Sequence, residues 1–193
     1  MSTSPHGNLG FAFYPPSVDI YEMEFYEVIK TRRSIRSYKK SKVPDDVLHR
    51  VLEAARIAPS GHNRQSWKFY MVESADKIRG VADGCAGKAW IGEAPAIVVA
   101  VGRKYEYNRG GYMGEMSFTM DVTIAFTHLI LAARAEGLGT CWIGDFSNDK
   151  VKEALGLPED EYVVALSPLG YPNKGVFIEN TSRKSLDEIT ERV

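Results

Sequence analysis

Apolar positions in this chain fall into blocks whose spacing switches between helical and strand-like periods. Within 22–31, Phe25, Val28 and Ile29 recur at three- and four-residue steps and predict a first helix with one apolar stripe. A second helix is predicted from Pro44 to about Ile57. Proline suits the first helical position, Asp45 and Asp46 favour the first turn, and Val47, Leu48, Val51, Leu52 and Ala55 share one face before Pro59 ends the run.

Trp67 to Val72 reads as a strand, Ser74 as the cap of a short helix to about Val81, and the β-branched and alanine run from Pro95 to Val101 as a buried central strand. The longest helix is predicted over 117–136, closed by Gly137. It carries apolar residues around most of its circumference, which suits a central helix or one at a subunit interface, with His128 as a hydrogen-bonded core residue. A short strand over 139–146, a helix capped by Ser147 that ends near Gly156, and a strand over 162–169 follow. Ser185 to Glu188 forms a capping box that predicts a last helix.

Residues 1–21 are rich in proline and glycine yet carry Leu9, Phe11, Phe13 and Tyr14, so they read as an arm that packs on something. The remainder, 22–193, reads as one domain of α/β or α+β class without repeats.

Charge narrows the function. A net charge of −1 argues against a general nucleic-acid binder, whose footprint is strongly basic. No leader is expected, no apolar stretch is read as reaching the ~18–20 residues of a bilayer span, and the expectation is a soluble, cytoplasmic protein without membrane partners. Cys85 and Cys141 stand far apart without ligands at metal spacing and read as buried thiols, so no metal site is expected.

Candidate chemistry begins at Arg32, Arg33, Ser34, Ile35, Arg36, Ser37 and Tyr38, where three guanidinium groups and neighbouring hydroxyls suit a phosphate monoester. A solvated charged face is the alternative on local grounds. If the preceding helix ends here, its negative end disfavours an anion, so explicit cations must hold it, unlike a glycine-rich phosphate loop. The segment 84–89 fails as such a loop: no glycine precedes Gly87 at the required spacing, and Ala89 replaces the metal-binding hydroxyl.

The loop 58–67 holds Pro59, Ser60, Asn63 and Gln65; its amides offer both a donor and an acceptor to a heterocycle edge, or form an ordinary polar turn. The glycine-rich, aromatic segment 103–116 reads as a lid or a surface excursion. Arg183 and Lys184 form a second basic cluster.

Four stretches together resemble the nitroreductase family: Arg-Arg-Ser-Ile-Arg at 32–36, Ala-Pro-Ser-Gly-His-Asn-Arg-Gln-Ser-Trp at 58–67, Gly-Leu-Gly-Thr-Cys-Trp-Ile-Gly at 137–144, and Arg-Lys-Ser-Leu at 183–186. The resemblance covers about 23–193 and implies an α+β sandwich, a central mostly antiparallel sheet flanked by helices, assembled as an intertwined homodimer with FMN at each interface site. It implies that Arg32, Arg33, Ser34 and Arg36 lie near the FMN phosphate and ribityl chain, joined by Arg183 and Lys184. Pro59, Ser60, Asn63 and Gln65 match the loop that packs along the flavin from the partner subunit, and Ile143 and Gly144 the segment whose backbone N–H meets flavin N5.

The implied activity is ping-pong oxidoreduction: NAD(P)H gives a hydride to the flavin, and a nitroaromatic, quinone or similar acceptor then takes it, with no side chain required as acid, base or nucleophile. Ser66 stands where family members commonly have proline. Two alternatives are a specialised reaction on the same fold, such as reductive dehalogenation or flavin cleavage, and a non-enzymatic module that binds an anion or nucleotide.

Overall fold

A computed structural model of the chain describes residues 23–105, 112–173, 177 and 182–193. The N-terminal arm and the centre of the 103–116 segment lie outside these residues.

β2 (Ala96–Arg103) is the axis of the sheet, and its unbroken apolar run is explained by burial on both faces. It pairs antiparallel with β1 (Trp67–Val72) on one side and with β4 (Glu161–Gly170) on the other. β4 also pairs with the two-residue β3 (Gly139–Thr140), giving the order β1-β2-β4-β3. The strand expected over 139–146 is thus cut to two residues, because beyond Thr140 the chain returns to the sheet only at the single bridge of Ile143 to Leu166.

Alternate residues of β2 serve two cores. Val98 and Ala100 pack with α2 (Asp45–Arg56) and α4 (Tyr112–Ala135), whereas Ile97, Val99 and Val101 pack with α3 (Ala75–Asp83) and α5 (Asn148–Leu155). The result is a helix–sheet–helix sandwich of α+β class, as the resemblance implied. Helix α2 buries Val47, Leu48, Val51 and Ala55 as its periodicity predicts, with Leu52 half-buried at the margin. Arg50 on α2 ties it to the end of α4 through both oxygens of Glu136, at 2.7 and 2.9 Å.

Helix α4 begins at Tyr112, five residues earlier than expected, so the C-terminal part of the proposed lid is helix. Its stretch Met116–Ala135 is long and apolar enough to cross a bilayer by length and composition, which the sequence reading missed; half of it is buried inside the chain, where Val122, Phe126, Leu129 and Ala133 pack on the sheet. The burial is one-sided. Met116, Met120 and Ile124, four residues apart, stay exposed.

Two further expectations fail for want of packing. Helix α1 (Phe25–Thr31) forms, but of its stripe only Val28 is buried, while Phe25 and Ile29 face outward. The last helix does not form: Ser185 donates its N–H and Oγ–H to Glu188 Oε2 at 2.8 and 2.9 Å, which closes a single turn whose Leu186 and Ile189 are exposed. A short helix is marginal without a face to bury, and the capping box alone does not sustain one.

Candidate functional site

The arginine stretch starts where α1 stops. Arg32 N–H still donates to Val28 O, so the guanidinium groups stand at the negative end of that helix. From there the chain runs alongside β3. Ser34 bridges Thr140 in parallel, Ile35 N–H donates to Thr140 O at 2.8 Å, and Tyr38 bridges Pro172. Ile35 and Tyr38 are buried beneath the run, which leaves the arginines on its outer side.

These arginines are close to one another. Burial holds the Arg32 guanidinium below its ordinary value, and the like charges of Arg33 and Arg183 push it further in the same direction. Three cations are therefore gathered from two ends of the chain, an arrangement that an anion stabilises and that burial away from water makes costly. Arg33 donates from Nη1 to Lys30 O and Arg32 O, each at 2.7 Å, while its buried Nε and Nη2 have no partner among the described residues. Arg36 is exposed, with its guanidinium 5.9 Å from the Trp90 ring centroid, and Lys184 is exposed beside Arg183.

The second predicted group, Pro59, Ser60, Asn63 and Gln65, forms a tight loop around a short 3-10 turn at Gly61–Asn63. His62, Asn63 and Gln65 adopt positive φ of 52°, 55° and 51°. Each such non-glycine residue costs about 1–2 kcal/mol, and strain of this kind persists only where the surroundings impose it. Local bonds supply part: Gln65 N–H donates to Ser60 Oγ at 2.9 Å, and Gln65 Nε2 to Asn63 Oδ1 at 3.1 Å.

The rest comes from Asp121 on α4, only 5% exposed, which accepts from Gly61 N–H at 3.0 Å, from Ser66 Oγ–H at 3.4 Å and from Tyr105 O–H at 2.9 Å. Sequence reasoning passed over Asp121. Its signal was available as a lone carboxylate inside the apolar run of the longest helix, where a charge needs designated partners. Beside this loop, Gln65, Ser66, Trp67, Lys68, Arg103 and the buried Glu161 contribute to the lining of a cavity of about 330 Å3.

The third group is split by its hydrogen bonds. Ile143 N–H donates to Leu166 O at 2.9 Å and is committed to the sheet. Gly144 N–H, like that of Trp142, has no partner among the described residues and can serve a ligand. Trp142, between Cys141 and Ile143, is held edge-on to Phe126 at 4.9 Å.

One chain does not bring all three groups together. The 59–65 loop leads into β1 at the end where Trp67 faces Gly102, whereas the arginines adjoin β3 at the end where Leu169 faces Ala96. Three strand spacings across the sheet and six residues along it separate these corners by about 25 Å. The arginines do lie near the 137–144 segment, through the pairing of 34–35 with Thr140.

The sequence matches the profile described as the nitroreductase family over residues 29–113 and 84–171. It is 32% identical over 170 residues to a Thermus thermophilus protein named NADH dehydrogenase, covering 73% of this chain and 83% of that one. It is 29% identical over 198 residues to iodotyrosine deiodinase 1 of Rattus norvegicus, covering 86% of this chain and 68% of the deiodinase. Among solved structures, a nitroreductase family protein of Clostridium novyi NT superposes with a TM-score of 0.73 at 36% identity, over 86% of this chain and 91% of the other. An Exiguobacterium sibiricum protein solved in complex with FMN shares the fold at a TM-score of 0.79 and 23% identity, over 89% and 98% of the two chains.

Proposed function

The chain belongs to the nitroreductase family, and on that premise we propose that it is an FMN-dependent oxidoreductase that passes a hydride from NAD(P)H to a nitroaromatic, quinone-like or similar electron-poor acceptor. The observation that carries this reading is the buried Nε and Nη2 of Arg33, which have no partner among the described residues, beside Arg32 and Arg183. A buried donor without a partner costs about 1–3 kcal/mol, more for a charged group, and a phosphate ester restores those bonds while relieving the repulsion among the cations. FMN fits that donor set.

When bound, FMN supplies hydride acceptance and donation at N5. The protein's residues do the rest. Arg32, Arg33 and Arg183 hold the phosphate, with Ser34, Arg36 and Lys184 along its approach, and Gly144 N–H serves as the backbone donor toward the ring because Ile143 N–H is already engaged. Pro59, Ser60, Asn63 and Gln65 meet the flavin from a second copy of the chain. The 25 Å corner-to-corner separation supports that division, as do the exposed apolar faces of α1, α4 and the 182–193 tail. On this reading the protein is an intertwined homodimer that acts in the cytoplasm.

A visible spectrum of the purified protein, followed by anaerobic titration with NADH and with NADPH, tests the reading. A yellow protein bleached by one nicotinamide and recoloured by a nitroaromatic or a quinone is the expected result. Colourless protein that takes up no added FMN would overturn it.

The similarity to iodotyrosine deiodinase favours one second reading, reductive removal of halide from an aromatic substrate on the same site. Halide release from a halogenated phenol by the reduced protein, faster than its reoxidation by nitroaromatics, would select that reaction.

A further inference from the structure

We propose that Asp121 is the positioning residue of the flavin-facing loop: its carboxylate holds 60–66 in the conformation that meets FMN and joins that loop to Tyr105. The inference rests on the FMN reading above and extends it to a residue that touches no cofactor.

The geometry gives Asp121 three neutral donors and divides them between two segments. Oδ1 accepts from Gly61 N–H at the start of the strained turn, and Oδ2 from Ser66 O–H at its end, so the carboxylate spans the loop from 61 to 66. Between these two anchors lie the three positive-φ residues, His62, Asn63 and Gln65. A loop of exposed polar residues gains little by itself from such backbone angles, and the two fixed ends are what exclude relaxed alternatives. Oδ2 also accepts from Tyr105 O–H at 2.9 Å, and the Tyr105 ring lies beneath the Arg64 guanidinium at 4.8 Å from its centroid. The loop is therefore held from inside by a carboxylate and from outside by a stacked ring.

Helix α4 makes a suitable base for this clamp. Asp121 is flanked by Val122, and one and two turns on by Ala125 and Leu129, all fully buried, with Val122 and Leu129 packed in the core against the sheet, so its own position is fixed by the core. Removing the carboxylate leaves Gly61 N–H without its acceptor and frees the loop while the helix still has its apolar packing.

The test compares Asp121→Ala and Asp121→Asn with Leu129→Ala, a cavity variant on the same helix that touches neither segment. Two quantities are read on the folded protein: the FMN dissociation constant, from flavin fluorescence on dilution of the holoprotein, and the rate of tryptic cleavage after Arg64. Asp121→Ala is expected to weaken FMN at least tenfold and to speed cleavage at Arg64 by a similar factor. Asp121→Asn, which keeps one acceptor oxygen, is expected to move both about threefold, and Leu129→Ala to stay within twofold of wild type.

Equal effects of Leu129→Ala and Asp121→Ala would reduce Asp121 to a generic core residue and overturn the proposal. If Asp121→Ala does not fold, Asp121→Asn decides, and values within twofold of wild type in both readouts overturn it. Wild-type protein that binds no FMN overturns the underlying functional reading, whereas wild-type binding with unchanged affinity in Asp121→Ala overturns this inference alone.

Discussion

Ile35 and Gly139 are packed so closely that a Cβ placed on Gly139 would stand 2.8 Å from Cβ of Ile35. That distance is shorter than side-chain carbons tolerate, and Ile35 N–H is simultaneously bonded to Thr140 O. The arginine stretch is thus held against β3 by a backbone bond on one side of Ile35 and by a missing side chain on the other. Gly139→Ala is expected to displace 34–36 from the sheet edge, costing about 1–3 kcal/mol as overpacking does. Denaturant melts will measure the loss, and flavin retention on gel filtration is expected to fall with it; a variant that keeps both would mean that Ile35 gives way at no cost.

Burial and the like charges of Arg33 and Arg183 disfavour the Arg32 cation, so an anion beside it relieves a real cost. Arg32→Ala is expected to weaken FMN by about tenfold to a hundredfold, the range of one charge-assisted hydrogen bond. The flavin-free protein should not lose stability, since the substitution removes a partly buried cation repelled by Arg33 and Arg183. Inorganic phosphate should raise the melting temperature of flavin-free wild type and do so less for Arg32→Ala and Arg183→Ala, since a ligand that binds only the folded state stabilises it by mass action. Identical responses in all three proteins would remove these arginines from the anion site.

Met120 lies at the centre of the exposed stripe Met116, Met120 and Ile124 on α4. Three large apolar residues on one line of a core helix form the kind of patch that a second subunit covers. If the proposed dimer buries this patch, Met120→Asp places a charge in it and is expected to shift the sedimentation coefficient from dimer toward monomer, with flavin lost in parallel. A dimer that survives the substitution at micromolar concentration would locate the interface elsewhere.

Alkaline pH should weaken the fold. Burial pushes the Cys85 thiol up to about 11, with nearby Lys88 pulling in the opposite direction, and burial raises the Tyr38 hydroxyl, whose proton is donated to Ile35 O. Each group therefore holds its proton in the folded chain at pH values where the unfolded chain has begun to release it. For Cys85 the stabilisation is complete below the unfolded thiol value of about 8.5 and is lost as pH rises through about 11. Urea midpoints are expected to fall across that window, and to fall less steeply in Cys85→Ser; parallel slopes in the two proteins would mean that the thiol ionises without regard to folding.

Some of this architecture was legible because its causes are local. Helix α2 carries its own instructions in Pro44, Asp45, Asp46 and a five-residue apolar face, and β2 announces its two-sided burial by having no polar alternation. The closing turn at 185–188 shows the limit of local signals. Glu188 caps Ser185 N–H as the residue types dictate, yet Ser185 Oγ also donates to that carboxylate and no helix grows, because Leu186 and Ile189 remain exposed among the described residues. Helix α1 shows the same limit in Phe25 and Ile29.

The site divides in the same way. By itself the sequence determined which chemical groups are present: guanidiniums for an anion, amides for a heterocycle edge, and glycines where a backbone must come close. Only the tertiary structure decided how they are shared out. Contacts of Ser34 and Ile35 with Thr140 aligned the arginines, the C-terminal segment placed Arg183 near Arg32, the bridge to Leu166 withdrew Ile143 N–H and left that of Gly144, and α4 delivered Asp121 to a loop 60 residues away. The reason is physical: residue identity fixes charge, hydrogen-bonding capacity and local backbone preference, whereas which donor is engaged and which charge has neighbours depends on contacts between segments distant along the chain.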